Sequence, residues 1–580
     1  MAQRAAEIAR VIPIARASGL SDPGTISMMR TPPVNPFDPN RCIGTICEVD
    51  QTAARMILSD AASDSAEVGR FVVIECGEFL LFARITSVTN QPGSNQGSKT
   101  HGISVIELLT TVTPDGVGVN RGLTRLPHPG SEVYSAPPEL QRWLFESTQI
   151  REAESEPIML NVGSLADGTE IRLTPELLFG RHCAVLGTTG AGKSWTFARL
   201  IEEATRHRAK VVLFDATGEF EPMKAGAVRH FHVGNDPTGQ ESSDELVMPY
   251  NALTESDLFA LFKPAGPTQA PKLRAAIKSL KLAKVPQLAI RGVVLKAGRL
   301  KAPFEAAYIN RASEIEDPRA NFDITKLPGQ IDAECVYSSG GFSSSPDERH
   351  WGGPNELERS NCVTLITRIE DMLQAPELAC MFQPGNKRVV FDELESFIAD
   401  PAARVLRISL KHLPFSHDAR EIVANALGRH LLEMARSGKF RECPLLVFLD
   451  EAHNFLNKTL GEEDTRYPLD SFELIAKEGR KSSLNICIST QRPRDIPEGI
   501  LSQMGTLVIH RLRNDRDRDL VERASSDADR SAMTFIPELG DGQAVIVGVG
   551  FPISLPVQMT RPAQPPDSRG PDYQKQWQQQ

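Results

Sequence analysis

The apolar positions along this chain change their spacing more than once. From about 38 to 140 they fall in runs rich in Val, Ile, Phe and Thr: Cys42–Val49, Phe71–Val88 and Ile103–Val112. Gly, Asn and Ser separate the runs, above all over Asn90–Gly102. Short β-rich runs with such punctuation predict a small barrel. From about 158 the texture differs. Cys183–Leu186 is a short apolar run before a glycine-rich turn, and a helical pattern follows through Trp195, Ala198, Leu200, Ile201 and Ala204. Val211–Phe214 is the next apolar run and ends at Asp215. Strand, helix and strand at this spacing make a βαβ unit with a parallel sheet. Further strands are predicted at Val389–Phe391, Val405–Leu410, Leu445–Leu449, Leu484–Ser489 and Thr506–Ile509. Ala419–Arg436 predicts a helix with Ile422, Val423, Ala426, Leu427, Leu431 and Met434 on one side.

Between these sheet-forming parts, Pro264–Pro271 reads as a loop, Lys272–Lys284 as a basic helix and Ala333–Gly353 as a Gly/Ser-rich loop. The expected division is an arm at 1–37, a small β-barrel at 38–140 and the first part of an α/β core at 141–254. A mainly helical insertion at 255–385, the second part of the core at 386–561 and a disordered tail at 562–580 complete it. No internal repeat is visible.

Composition narrows the classes. At 580 residues the chain is too long for one hydrophobic core. With 41% hydrophobic and 24% charged residues it is neither wholly disordered nor collagen-like. No run of about 18 apolar residues occurs, so no membrane span is expected. The N-terminus lacks an apolar core after its basic residues, so a cytoplasmic location is expected. The nine cysteines form no C-x-x-C pair, which fits reduced thiols and no zinc ribbon. A net charge of −10 excludes a diffuse basic coat and leaves room for a local basic channel.

Chemistry concentrates in a few places. Gly187-Thr188-Thr189-Gly190-Ala191-Gly192-Lys193-Ser194 matches the phosphate-loop pattern in full, and Trp195 completes the predicted nucleotide-binding set. Glycines let backbone N–H groups wrap an anion, and the helix behind presents its positive end. Lys193 would neutralise the β/γ-phosphates and Ser194 would hold Mg²⁺. Leu445-Leu-Val-Phe-Leu-Asp450-Glu451 places adjacent carboxylates at the end of an apolar strand, where ligands sit in open α/β sheets. Asp450 would hold Mg²⁺ through a water, and Glu451 would polarise the attacking water. Asp215 and Glu219 end the strand after the phosphate-loop helix and could lie beside the nucleotide. Gln491 follows the Leu484–Ser489 strand and suits a γ-phosphate sensor. Arg480 is a candidate finger for a neighbouring subunit's phosphate, with Arg511 and Arg513 as rivals. The Arg516–Asp519 charges read as a solvated helix start. Lys272, Arg274, Lys278, Lys281 and Lys284 could contact DNA phosphates or line a solvated helix face. The histidines show no metal-site spacing, and no nuclease signature is visible.

Together Gly187–Ser194, Asp215–Phe220, Leu445–Phe455, Glu478–Lys481, Thr490-Gln491 and Val508–Arg513 resemble the HerA family of hexameric DNA-translocating ATPases. These are relatives of FtsK in the additional-strand P-loop class. Phe535–Gly540 and Gly550–Ile553 also resemble the family's C-terminal end. The resemblance runs from about residue 40 onward and is poor over 260–385. Glu462–Pro468 lengthens the stretch between the Asp-Glu pair and Arg480. The fold class expected is therefore α/β: a RecA-like P-loop ATPase core with an N-terminal small β-barrel and a mainly helical insertion. The resemblance further implies ATP and Mg²⁺ as cofactors, a homo-hexameric ring with ATP sites between subunits, and double-stranded DNA in its pore. It also implies an effector docked through the barrel: a NurA-like or other nuclease, or a sirtuin-like NADase. A bacterial antiphage setting is expected by analogy. A ring that uses ATP as an assembly switch, and regulates its effector without moving DNA, is the alternative.

Overall fold

The computed structural model describes residues 32–580 except 60–65, 78, 92–100, 114–118, 121–122, 148, 150–156, 167, 225–226, 238, 240–242, 286, 319, 343–344, 457–458, 461–466, 525–529, 569–572 and 579–580. Most of the arm expected at 1–37 and most of Glu462–Pro468 lie outside the described residues. The chain forms two compact units. The first comprises the chain up to His207 with Ser489–Arg494 and Leu501–Pro565, and the second Arg208–Ile488 with Asp495–Ile500 and Pro566–Gln580. It is an α/β protein with a closed N-terminal barrel and a P-loop-ATPase-like core.

In the first unit a 7-stranded antiparallel sheet closes on itself where Ala53–Leu58 pairs with His101–Val112. Cys42–Val49 forms as the sequence predicts, but Phe71–Val88 is two strands, Phe71–Cys76 and Phe79–Gln91, turning at Gly77 with φ 69°. Ala53–Leu58 and Glu132–Ser135 were not foreseen. Along Ala53–Leu58, Ala54, Met56 and Leu58 are buried while Arg55 and Ile57 face out, the alternation of a one-sided strand. Ile43, Ile46, Val72, Ile74, Leu81, Ile85 and Ile106 complete that core. Gly44 lets Cys42–Val49 pair closely with Ala53–Leu58: a Cβ there would lie 2.4 Å from the Ile57 carbonyl oxygen. Also in this unit, Cys183–Leu186 runs parallel to Thr506–Ile509. Antiparallel strands Gln543–Gly548, Leu555–Met559, Leu160–Ser164 and Glu170–Leu173 follow in that order.

The second unit holds parallel strands in the order Arg388–Val389, Asp244–Val247, Ala227–Val233, Ala403–Ser409, Lys210–Asp215, Leu445–Leu449 and Leu484–Thr490. The last two residues of Leu484–Thr490 are counted with the first unit. Lys210–Asp215 and Leu445–Leu449 are buried throughout, as a sheet covered on both faces requires. Ala419–Arg436 is the helix foreseen. Val389–Phe391 is a correction: only Arg388–Val389 is extended, and Val390–Ala399 is helical. Val390, Leu394 and Phe397 are buried at helical spacing, and Asp392 and Glu393 suit the positive first turn. Pro264–Pro271 is corrected as well, because a helix runs over Gly266–Leu282 with Pro271 inside it. Burial of Leu273, Ala276, Ile277 and Leu280 along one side outweighs the proline's missing donor.

Helices Glu255–Phe262, Ala302–Asn310, Leu327–Glu334 and Glu356–Gln374 also lie within 255–385, with two short antiparallel pairs, Ala289–Ile290 with Val293–Val294 and Gly340–Phe342 with Ser345–Asp347. Within 562–580, Tyr573–Gln578 is helical, although no order was expected there. Among the described residues no helix is long and apolar enough to cross a membrane.

Candidate nucleotide site

In the first unit the phosphate loop follows the buried Cys183–Leu186 strand and leads into the helix Lys193–Thr205. Its N-cap is Gly192 at φ 107°, a left-handed conformation that side chains with a Cβ avoid. Gly190, at φ 77°, has open space where a Cβ would point. The loop is held from behind. Thr188 donates its N–H to the Arg511 carbonyl at 2.9 Å, and Gly542 donates to the Ala191 carbonyl at 3.1 Å. Lys193 is buried, and its Nζ donates to the Thr188 carbonyl at 3.1 Å. A glycine cradle with open space, a lysine amine and the Ser194 hydroxyl suit a phosphate chain with a divalent cation.

Gln491, predicted as a sensor, lies beside the loop: its Oε1 accepts from the Thr189 hydroxyl. Gly187 N–H points to the Thr490 carbonyl at 3.4 Å. His510 was missed by sequence reasoning. It is fully buried at the end of the Thr506–Ile509 strand, with Nδ1 2.8 Å from the Gln543 carbonyl and Nε2 2.9 Å from Thr196 Oγ1. The carbonyl can only accept, so Nδ1 carries the proton and Nε2 accepts from Thr196. Burial holds its pKa down at about 4, and the Lys193 charge adds to the effect. A Cβ on Gly187 would lie 2.6 Å from His510 Cβ, so this glycine lets the histidine brace the loop. Arg561 sits over the Trp195 ring at 5.6 Å.

Arg511 and Arg513 lie beyond the end of the Thr506–Ile509 strand. Arg511 is committed within its own chain, donating to the Leu539 carbonyl at 3.2 Å and pairing with Asp541 at 3.1 Å. Arg513 is exposed.

In the second unit Asp450 and Glu451 end the Leu445–Leu449 strand. Asp450 is buried and donates its backbone N–H to the Phe214 carbonyl at 3.0 Å. Glu451 stands at φ 46°, the left-handed region that a non-glycine residue enters at a cost of about 1–3 kcal/mol. Its Oε2 lies 3.3 Å from His453 Nδ1.

Asp215 is fully buried and paired with Arg407 at 2.7 Å, both at 0% side-chain exposure. It also accepts the Gly218 and Phe220 N–H groups at 2.8 and 3.1 Å. Its carboxylate therefore organises its own loop. Arg407 also escaped sequence reasoning, although an arginine inside the apolar run Val405–Ile408 is a signal that a buried carboxylate awaits it.

Arg480 is exposed in the short turn Gly479–Ser482 and has no side-chain partner among the described residues. The lysine-rich helix is a different case. Lys272 pairs with Glu358, Arg274 with Glu255, Lys278 with Glu316 and Lys284 with Glu314, while Lys281 donates to the Ile315 and Asp317 carbonyls. Four of these cations pair with acids of their own chain and Lys281 with two carbonyls, which favours the solvated-face reading of that run over the DNA-contact one.

Two family models match the chain: "Helicase HerA, central domain" over 160–290 and "Helicase HerA-like C-terminal" over 430–574. The chain belongs to the HerA/FtsK class of P-loop NTPases. As a HerA-class protein it is an ATPase. It is 25% identical over 427 residues to a probable DNA double-strand break repair helicase HerA of Methanocaldococcus jannaschii, covering 69% of this chain and 75% of that one. Over 105 residues, 18% of each chain, it is 43% identical to the DNA double-strand break repair helicase HerA of Pyrococcus furiosus. Among solved structures it is similar to the plasmid coupling protein TrwB in complex with ADP and Mg²⁺. That match has a TM-score of 0.43 and 16% identity, covering 73% of this chain and 93% of TrwB.

Proposed function

We propose that this HerA-class ATPase works as a homo-hexameric ring motor that moves on or unwinds double-stranded DNA. It serves a nuclease or other effector docked through the N-terminal barrel. Bound Mg²⁺ screens the charge on the phosphates and makes the terminal phosphorus open to attack. Lys193 neutralises the β/γ-phosphates, and the loop glycines with Thr188, Thr189, Ala191 and Trp195 line the nucleotide. With ATP bound, Ser194 would hold Mg²⁺, and Asp450 would reach it through a water. Glu451 polarises the attacking water and takes its proton, and Gln491 senses the γ-phosphate. Arg480 neutralises the phosphates of a neighbouring subunit. The setting we assign is cytoplasmic antiphage defence, an analogy supported by the 255–385 insertion outside both family matches over most of its length.

The observation that carries the ring reading is the contrast among the arginines. Arg511 is bound to Asp541 of its own chain, whereas Arg480 stands exposed after the Ser471–Glu478 helix with no side-chain partner among the described residues. An exposed guanidinium fits an acceptor supplied by another subunit. The test is the ATPase rate with and without duplex DNA, on material sized by mass photometry. A hexamer stimulated by duplex DNA is expected. A hexamer whose turnover ignores DNA supports the scaffold alternative, and a monomer at working concentration overturns the ring.

A further inference from the structure

Lys411–Asp418 links the Ala403–Ser409 strand to the Ala419–Arg436 helix and carries Phe415, a ring 77% exposed. Exposed phenylalanines on mobile loops are unremarkable, but this loop is fixed. The buried Arg420 donates to the Leu413 carbonyl at 2.6 Å, the Lys411 carbonyl at 2.7 Å and the Ala216 carbonyl at 3.5 Å. The same guanidinium lies 3.8 Å from the Phe415 ring centroid and covers one face of it. His417 and Asp418 take left-handed conformations at φ 63° and 51°, which His and Asp tolerate better than most residues. Asp418 is neutralised by Lys263 at 2.6 Å. The opposite side of the loop rests on glycines. A Cβ on Gly234 would lie 3.0 Å from the His412 carbonyl, and one on Gly218 would lie 2.9 Å from Lys411 Cδ. Gly218 belongs to the loop that Asp215 and Arg407 organise.

A ring with one face on a guanidinium and the other in solvent is a stacking platform. In the same loop Leu413 is turned into the core and Pro414 is half-buried, while the exposed Lys411 and Ser416 and the half-buried His412 and His417 give the ring a polar and basic flank, unlike the apolar surround of a protein-docking anchor. Bases stack on such rings whatever their sequence, and neighbouring cations meet the phosphates. A duplex hides its base faces, so the complementary ligand is unpaired. We propose that Phe415 stacks on an unpaired base of a single-stranded stretch or frayed end. Arg420 is the positioning residue, and its bond to Ala216 carries the contact to the Asp215 loop. The proposal rests on the reading of this chain as a DNA motor and adds the single-strand contact.

The test is fluorescence anisotropy of the full chain with three probes: a single-stranded oligonucleotide, the same strand with abasic sites, and a blunt duplex. Phe415→Ala and Phe415→Leu are expected to keep the wild-type melting temperature and to weaken single-strand binding by about 5- to 150-fold. Both should lose the preference for the ordinary strand over the abasic one, and both should change blunt-duplex affinity by less than about twofold. Phe415→Tyr should restore the preference. Equal losses on ordinary and abasic strands, or no loss at all, overturn the proposal. A wild-type protein that binds duplex but discriminates nothing by base overturns it while leaving the motor reading standing. Absence of any DNA binding, with turnover indifferent to DNA, overturns both.

Discussion

In the proposed reaction Lys193 and Glu451 hold different parts, and their loss should show it. Lys193→Ala removes the buried amine that answers the phosphate charge. Nucleotide affinity and turnover should both fall, turnover by about 10²-fold or more. Glu451→Gln keeps shape and hydrogen bonding but cannot take a proton, so ATP should still bind while turnover drops roughly 10²–10⁴-fold. Equilibrium binding of a fluorescent ATP analogue beside steady-state turnover separates the two, and normal turnover in Lys193→Ala would falsify the site. His510 makes a prediction about stability. Its pKa is about 4 folded against an ordinary 6.5. Above 6.5 it is neutral in both states and pH has no effect through it. Between 6.5 and 4 the unfolded chain binds the extra proton, so stability falls as pH falls, by roughly 3 kcal/mol across the window. Denaturant midpoints from pH 4 to 7 should show that slope in the wild type and a shallower one in His510→Gln. Equal slopes would show that another group titrates.

At the scale of elements, Asp215 and Arg407 lock neighbouring strands whose register pairs Asp215 with Ser409 and Leu213 with Arg407. Neither side chain has solvent to fall back on. Arg407→Met should therefore cost about 3–5 kcal/mol by leaving a buried carboxylate unanswered, whereas the double variant with Asp215→Asn should recover much of the loss. Chemical denaturation of the two variants checks this, and equal stability in both would mean that the loop hydrogen bonds alone hold Asp215. The pair also marks what the sequence could convey. Gly187–Ser194, Leu445–Glu451 and the Ala419–Arg436 helix were legible because their signals are contiguous and their periods unmistakable. Arg407 lies 192 positions from Asp215, and His510 lies 314 from Thr196, so each partnership exists only once the sheet has formed. Val389–Phe391 was misread for the opposite reason: a short apolar run fits either period, and the burial of Leu394 and Phe397 decided for helix. Most of the Asn90–Gly102 punctuation lies outside the described residues, and Ala53–Leu58 was missed. Its Ala, Arg and Met have modest β propensity, and barrel closure holds it extended.

For the whole molecule the question is whether one copy completes another's site. Glu451→Gln subunits carry an intact Arg480 but a dead base, and Arg480→Ala subunits carry the reverse. If Arg480 acts across the interface, some junctions in a mixed ring join an intact base to an intact finger. Activity should then return at intermediate mixing ratios, although each variant alone is reduced, Arg480→Ala by roughly 10³-fold or more. A finger acting within its own chain gives no such junction, because every subunit then lacks one essential group. Arg511→Ala provides the contrast. Its guanidinium is spent on Leu539 and Asp541, next to the Gly542 that braces the phosphate loop, so its loss should damage the subunit's own nucleotide affinity. Mixing it with Glu451→Gln should restore little. Turnover measured across mixing ratios, with ring size confirmed by mass photometry, distinguishes the two arginines. Rescue by Arg511→Ala and none by Arg480→Ala would reverse their assignments.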